Sequence, residues 1–366
     1  MRFKAQRNDL LKAITSTIGG VNSKSTLPIL NNLLIEAVNG GEICLTGMDL
    51  EISIRTTCQG QVEESGGVAV PARKLYDIIR ELPSTEVDVT VAKNNAVNIK
   101  TAKSFFKIMG LDPADFPKFP EPASIQSFEV EQKVLKQCLA LIAFAISRDE
   151  ARYTLNGALL ILKNGAMRLV ATDGKRLASV ERDLKLPKDT ELEAVIPAKT
   201  ILELMKGLSG EEGTVQVTQG KNQMIFRLGG TTIASQLIEG RFPNYEQVIP
   251  KSKKTSTQLS REELLSAIRR AALLTSQENQ SVKLDFIKGK LLISSRSPNL
   301  GEAKEELEAS ISGENLSIGF NPSYLIDVLK NLDVDQVSIS LTDPDKPGLI
   351  ESEGGYQYVV MPMQLA

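Results

Sequence analysis

One pattern of residues occurs three times along the 366-residue chain, and it limits the fold more than any single motif does. GGVAVPARKLYDIIRELP (66–83), EAVIPAKTILELMKGLS (193–209) and LSIGFNPSYLIDVLKNLD (316–333) each read as a short apolar strand, a turn and an amphipathic helix of about three turns. Pro71 and Pro197 lie 126 residues apart, and Pro197 and Asn321 lie 124 apart. ICLTGMDLEISIR (43–55) returns as MRLVATDGKRLASV (167–180), with Asp49 and Asp173 again 124 apart. GLDPADFPKFP (110–120) returns as LIEGRFPNYEQVIP (237–250). Each copy opens with a helical pattern: RNDLLKAITSTIGG, EQKVLKQCLALIAFAIS and SREELLSAIRRAALLTS. Four kinds of landmark at one period imply three homologous domains, 1–122, 123–253 and 254–366. The polar stretches PKFPEPASIQS and PKSKKTSTQ are expected to link them.

Within a copy the order is strand and helix twice over, with alternating strands between. TLPILNNLLIEAV, GEICLTGMDLEISIRTT and EVDVTVAKNNAVNIKT have strand composition bounded by Asn, Gly or Asp. Asp173-Gly174 reads as a two-residue hairpin turn. The fold class is therefore α+β, with two helices per copy segregated to one face of antiparallel sheets.

Composition then narrows function. The chain has no histidine, so it lacks the usual neutral-pH base and the commonest metal ligand. Serine hydrolases, papain-like proteases and most zinc enzymes are excluded, and neither GxxxxGK[ST] nor GxGxxG occurs. No catalytic residue, metal or cofactor is expected. A carboxylate hydrolase using Asp173 is the remaining enzyme reading. Cys44, Cys58 and Cys138 are odd in number and irregularly spaced, which fits reduced thiols in a cytoplasmic protein. The longest apolar run, 138–146, falls far short of the roughly 20 residues a membrane span needs. The N-terminal stretch is too charged for a signal peptide.

Charge is segregated. The six helical patterns, taken as 7–18, 72–81, 131–148, 198–206, 260–270 and 322–330, carry a net +6 in a chain of net -2, leaving -8 for strands and loops. A weakly basic helical face suits sequence-independent contact with phosphate. The last residues, GYQYVVMPMQLA, are apolar, bear two methionines around a proline, and carry no charged side chain. Chain ends are usually polar and frayed. A flexible, polarisable methionine surface suits the docking of several partner peptides.

Taken together, TLPILNNLLIEA, LTGMDLEISI, VPARKLYDIIRELP, ADFPKFP, ATDGKRLA, GRFPNYEQVIP and YVVMPMQL resemble the bacterial sliding clamps, the beta subunits of DNA polymerase III, over the whole chain. The resemblance implies a head-to-tail homodimeric ring, three DNA-clamp repeats per subunit, with helices lining the hole and sheets outside. Such a ring encircles duplex DNA without reading its sequence and acts as a processivity factor. It tethers the replicative polymerase and other clients by short linear motifs, and an ATP-driven clamp loader places it on DNA. The resemblance assigns a peptide pocket to Leu155, Thr172, Gly174, Lys175, Arg176, Leu177, Pro243, Gln247, Val248, Asn321, Tyr324, Val359, Val360, Met361, Pro362, Met363 and Leu365. Lys175 and Gln247 stand where the best-studied members have histidine and arginine, and Asn279 where an aromatic residue can border the groove. DNA contact is implied for Lys24, Arg73, Arg148, Arg152, Tyr153 and Lys199, with Asp149 and Glu150 as acidic neighbours. The dimer interface is implied for Lys74, Lys103, Phe106, Lys107 and Ile108 on one side, and for Leu273, Leu274, Glu302 and Glu305 on the other. The alternative is a repeat-built interaction scaffold that does not encircle DNA.

Overall fold

A computed structural model describes all residues except 22–26, 122–124, 185, 188–189, 211, 277–279 and 365–366. Among the described residues the chain forms six α-helices and four antiparallel sheets. The helices are α1 (Arg7–Thr17), α2 (Ala72–Glu81), α3 (Gln132–Ile142), α4 (Ala198–Gly207), α5 (Arg261–Ala272) and α6 (Pro322–Asn331). They fall where the threefold pattern places them, two to a copy. Arg148 is an exception, because α3 ends at Ile142 and Arg148 sits in a non-helical loop beyond it. None of these helices is long and apolar enough to cross a membrane.

The chain divides into two compact units, Met1–Lys136 with Lys199–Leu237, and Gln137–Ala198 with Ile238–Ala366. The middle copy thus contributes to both. In the first unit an eight-stranded sheet joins Thr231–Gln236 of the second copy to Ile52–Gln59 of the first. A five-stranded sheet lies beside it in sequence, with Phe105–Met109 as one edge. In the second unit a nine-stranded sheet joins Arg176–Asp183 of the second copy to Tyr356–Val360 of the third. A four-stranded sheet there ends in Gly301–Glu308.

The apolar pattern of each helix decides its buried face. Leu10, Ala13 and Ile14 of α1 and Leu75 and Ile79 of α2 enter one core with Phe3, Ile35, Val89 and Ile99 from strands. Leu264, Ile268, Leu325 and Leu329 are the corresponding buried positions of α5 and α6. The two helices of each copy are also tied by a cation. Arg7 Nε donates to Ile79 O at 2.9 Å, Lys136 Nζ to Leu208 O at 2.7 Å, and Arg261 Nη1 to Leu329 O at 3.2 Å. A cation at the C-terminal end of a helix satisfies carbonyls that lack an internal partner and opposes the helix dipole. Three charges of the basic helical total are therefore engaged within their own domain, which the sequence count could not distinguish from free ones.

The linkers are shorter and better anchored than expected. Strands begin at Gln126 and Thr255, inside both expected stretches. Phe116 is buried with Leu30, Leu34, Met48 and Ala69, and Phe119 packs against that cluster.

Candidate functional site

The site is built around the turn that follows Ala166–Thr172. Asp173 N–H donates to Arg176 O at 3.3 Å, so the central pair of the hairpin turn is Gly174-Lys175, one residue later than the sequence reading placed it. Gly174 has φ +83°, a left-handed conformation that costs glycine nothing. Asp173 Oδ1 accepts from the amides of Lys175 (2.9 Å) and Arg176 (3.0 Å), while Oδ2 accepts from Arg176 Nε (3.0 Å). Those three bonds hold the carboxylate as a turn anchor, a structural reason for an aspartate at this position. Asp49 does the same in the first copy, accepting from Glu51 and Ile52 amides. This is why aspartate recurs 124 residues apart.

Arg176 then ties the turn to two other elements. Its Nη1 donates to Asp327 Oδ2 of α6 at 2.5 Å and its Nη2 to Phe144 O at 2.7 Å. The guanidinium also lies 4.5 Å from the Tyr324 ring centroid and 5.6 Å from that of Phe144. Burial by itself would lower its pKa, but the hydrogen bond to Asp327 and the neighbouring Tyr358 and Asp173 outweigh it and raise the pKa above the ordinary arginine value. Arg176 is therefore a structural tie rather than a donor free for a ligand.

The apolar tail enters this frame as a central strand. Tyr356–Val360 pairs with Arg176–Asp183 on one side and Gly348–Ser352 on the other, setting Leu177 opposite Val359 and Arg176 opposite Val360. Its tyrosines are buried, and their hydroxyls donate to backbone: Tyr356 to Leu141 O at 3.2 Å and Tyr358 to Tyr324 O at 2.9 Å. Past Val360 the backbone leaves the sheet. Met361 N–H donates to Lys175 O at 2.9 Å, and Met363 N–H to Gly319 O at 2.8 Å. The segment is thus pinned at both ends, to the turn and to the strand Leu316–Phe320. Met361 and Met363 remain 41% and 36% exposed. Two anchored, exposed methionines form a ready apolar contact surface.

The sequence-assigned pocket residues separate into two groups. Thr172, Gly174, Lys175, Pro243, Gln247, Val248, Asn321, Tyr324, Met361, Pro362 and Met363 are half-buried or exposed. Leu155, Leu177, Val359 and Val360 are buried; the first three pack in one cluster with Val170, Phe242 and Tyr245, while Val360, on the opposite face of its strand, lies with Ile268, Phe320 and Leu325. The sequence reading placed these four in the pocket, with a core role as the alternative for Leu155 and Leu177, and all four are buried. Leu365 and Asn279 lie outside the described residues. Asp327, Phe144 and Gly319 were missed, and only Gly319 carried a signal, in the recurring LSIGF segment.

The other assigned residues are scattered. Arg73 and Lys74 are exposed on α2, and Arg73 sits 3.7 Å from Asp77. Arg148 is exposed in its loop, and Tyr153 is exposed on the short 3-10 helix Glu150–Leu155 that follows. Arg152 contacts Asp149 at 3.5 Å and donates to Asp173 O at 3.1 Å. Lys199 is corrected: its ammonium is held by the buried Asp49 carboxylate within the first unit, so it is not a free cation. Lys24 lies outside the described residues. On the edge strand Phe105–Met109, Phe106 and Lys107 are exposed and Ile108 is half-buried, with Lys103 in the preceding turn. Leu273 is 76% exposed and Leu274 half-buried after α5. Three edge-strand carboxylates are paired within the chain: Glu305 with Arg270 at 2.5 Å, Glu306 with Lys290 at 2.9 Å and Glu302 with Lys304 at 3.4 Å. Arg270's hydrogen bond holds the Glu305 carboxyl below the ordinary range.

Tandem modules of two helices on antiparallel sheets, with a doubly pinned apolar segment, define the DNA-clamp fold. Three family models cover the chain in order: the DNA polymerase III beta subunit N-terminal domain over residues 1–120, its central domain over 129–244 and its C-terminal domain over 246–364. The chain belongs to the DNA polymerase III beta subunit family, the bacterial sliding clamps. It is 35% identical over 370 residues to the beta sliding clamp of Pseudomonas aeruginosa, covering 100% of both chains. It is 31% identical over 365 residues to that of Chlamydia pneumoniae, covering 100% of this chain and 99% of the relative. Among solved structures, the Pseudomonas aeruginosa sliding clamp bound to griselimycin superposes with TM-score 0.95 at 36% identity, covering 100% of both chains. The Bacillus subtilis DNA polymerase sliding clamp superposes with TM-score 0.96 at 29% identity, again covering 100% of both. The chain is a sliding clamp, and its function is that of a polymerase processivity factor.

Proposed function

We propose that two copies of this chain join head to tail into a closed ring around duplex DNA, with domains at 1–122, 123–253 and 254–366. The observation that carries this reading is a pair of unpartnered sheet edges. Phe105–Met109 ends the five-stranded sheet and exposes Phe105, Phe106 and Met109 beside Lys103 and Lys107. Gly301–Glu308 ends the four-stranded sheet and exposes Glu302, Glu306 and Glu308; Glu302 and Glu306 are paired with Lys304 and Lys290, but four glutamates against one lysine leave the strand acidic. Open edges of opposite charge, one of them apolar, invite strand addition between copies. Apolar burial by Phe106, Ile108, Leu273 and Leu274 supplies affinity, while the charges set register and partner choice. A heterologous contact that closes after two copies gives a ring without free edges.

In this reading the ring stays on DNA by topology rather than by grip. Arg73, Arg148 and Tyr153 offer weak, sequence-independent phosphate contact, and Arg152, paired with Asp149, offers less. The polymerase, the clamp loader and other clients dock apolar anchors of linear peptides on Met361, Met363, Val248, Pro243 and Tyr324. The protein has no catalytic role of its own, works in the cytoplasm and relies on a separate ATPase for loading. Sedimentation tests the assembly: the wild-type chain runs as a dimer, and Phe106→Asp or Leu273→Asp shifts it to monomer. A monomeric wild type at micromolar concentration, or dimers undisturbed by both substitutions, would refute it.

A further inference from the structure

Beneath the segment 119–121, the eight-stranded sheet of the first unit carries a groove of about 430 Å³ lined by Arg55, Phe119, Glu121, Gln216, Thr218 and Arg227 among others. Thr46, Arg55, Thr232, Arg227 and Gln216 are directly opposed on successive strands, and the last four line the groove. Residues so paired point to one face, so both guanidiniums emerge on the same side.

Neither arginine has an anionic partner among the described residues. Arg55 Nε donates to Thr46 Oγ1 at 3.3 Å, and its guanidinium carbon lies 4.3 Å from the Phe119 ring centroid. Arg227 Nη1 donates to Gln216 Oε1 at 3.4 Å and Thr218 Oγ1 at 3.3 Å. All of these acceptors are neutral and the bonds are long. Stacking on a ring covers a guanidinium's face but leaves the N–H groups on its rim available.

The threefold repeat supplies an internal comparison. In the second unit a groove of about 460 Å³ lies under the corresponding segment, where Tyr245 has the place of Phe119. Its arginine, Arg168, pairs with Glu181 at 2.5 Å and Glu246 at 3.6 Å and donates to Tyr245 Oη at 3.0 Å. That groove holds its own counter-ions, with Glu181, Glu246 and Glu351 against Arg168 and Lys251. The groove at Arg55 has two arginines against Glu121 alone.

We propose that the Arg55–Arg227 groove binds the diphosphate group of a small molecule. Two strand spacings separate the arginine backbones, about 10 Å. The two guanidiniums lean outward here, Arg55 toward Thr46 and Arg227 toward Gln216 and Thr218. Released from these long bonds to neutral oxygens, both long side chains can swing inward onto an anion with two charged centres, which a single carboxylate lacks. Arginine's fork matches phosphoryl oxygens, and the hydroxyls of Thr218 and Thr232 add neutral donors.

Isothermal titration with inorganic pyrophosphate at low salt tests the site. The expected result is saturable binding of one equivalent per chain. Arg227→Gln should weaken it by about tenfold or more, Arg55→Gln likewise, and Arg168→Gln should leave it unchanged. Unaltered thermal unfolding of R227Q separates loss of the site from loss of fold. Absence of saturable heat up to about 10 mM pyrophosphate, equal affinity in R227Q, or tighter binding of succinate than of pyrophosphate would each overturn the proposal.

Discussion

Replacing Arg176 by methionine keeps most of the aliphatic stem and removes the guanidinium that ties the Gly174 turn, α6 and Phe144 together. The Arg176 side chain is 11% exposed and makes bonds of 3.0, 2.5 and 2.7 Å to Asp173, Asp327 and Phe144 O. Breaking a buried ion pair from one side costs about 3–5 kcal/mol. Two features reduce that here. Asp327 is 39% exposed and can recover water, and Asp173 retains the amides of Lys175 and Arg176. The expected loss is therefore about 2–4 kcal/mol. Global two-state unfolding is not a safe assumption for a chain of several domains, so native-state hydrogen exchange is the appropriate assay. Amides of Arg176–Asp183 and Tyr356–Val360 should lose that much protection, while those of the five-stranded sheet in the other unit should not change. A double-mutant cycle with Asp327→Asn should return a coupling of about 1 kcal/mol or more. A loss below about 1 kcal/mol, or equal losses in both units, would refute the view of Arg176 as a tie.

Deleting Met361–Ala366 removes two backbone hydrogen bonds, worth about 1 kcal/mol each, but leaves Tyr356–Val360 paired. The variant should stay folded and dimeric yet lose binding of a fluorescent polymerase-derived peptide; full retention of affinity would contradict the docking surface. Lys103→Glu with Lys107→Glu should weaken dimerisation by about 1–2 kcal/mol, because exposed pairs are individually weak, and Glu305 is already held by Arg270. The effect should be largest near 0.01 M salt and small near 1 M, by the about tenfold change in screening length; sedimentation that ignores the substitutions at low salt would refute it. Burial raises the Cys138 thiol to about 11. Its neutral form is favoured in the fold, so its stabilisation is present below the unfolded-state pKa and is lost as pH climbs from about 9 toward 11. Equilibrium unfolding across that range should show a smaller decline in Cys138→Ala than in wild type; identical declines would argue against it.

Much of the fold is legible in the sequence because repetition tests each reading three times. Pro71, Pro197 and Asn321 precede helices in all copies, and Asp49 and Asp173 anchor the same turn. What the sequence hides is partnership. Arg7, Lys136 and Arg261 look like free helix cations but cap the neighbouring helix, and Lys199 looks like a phosphate contact but is held by Asp49. Leu177, Val359 and Val360 carry the same apolar character as Met361 and Met363, and only the packing shows that the first three are core. The middle copy's division between two compact units follows from strand pairings such as Ile54 with Ile233 and Leu177 with Val359, which no local pattern announces.

The central claim is that two copies close around DNA and are held there by topology. Loaded onto nicked circular duplex, the protein should resist elution by high salt and should run off once the circle is cut open. Loss from intact circles at the same salt, or undiminished retention on the cut DNA, would contradict it.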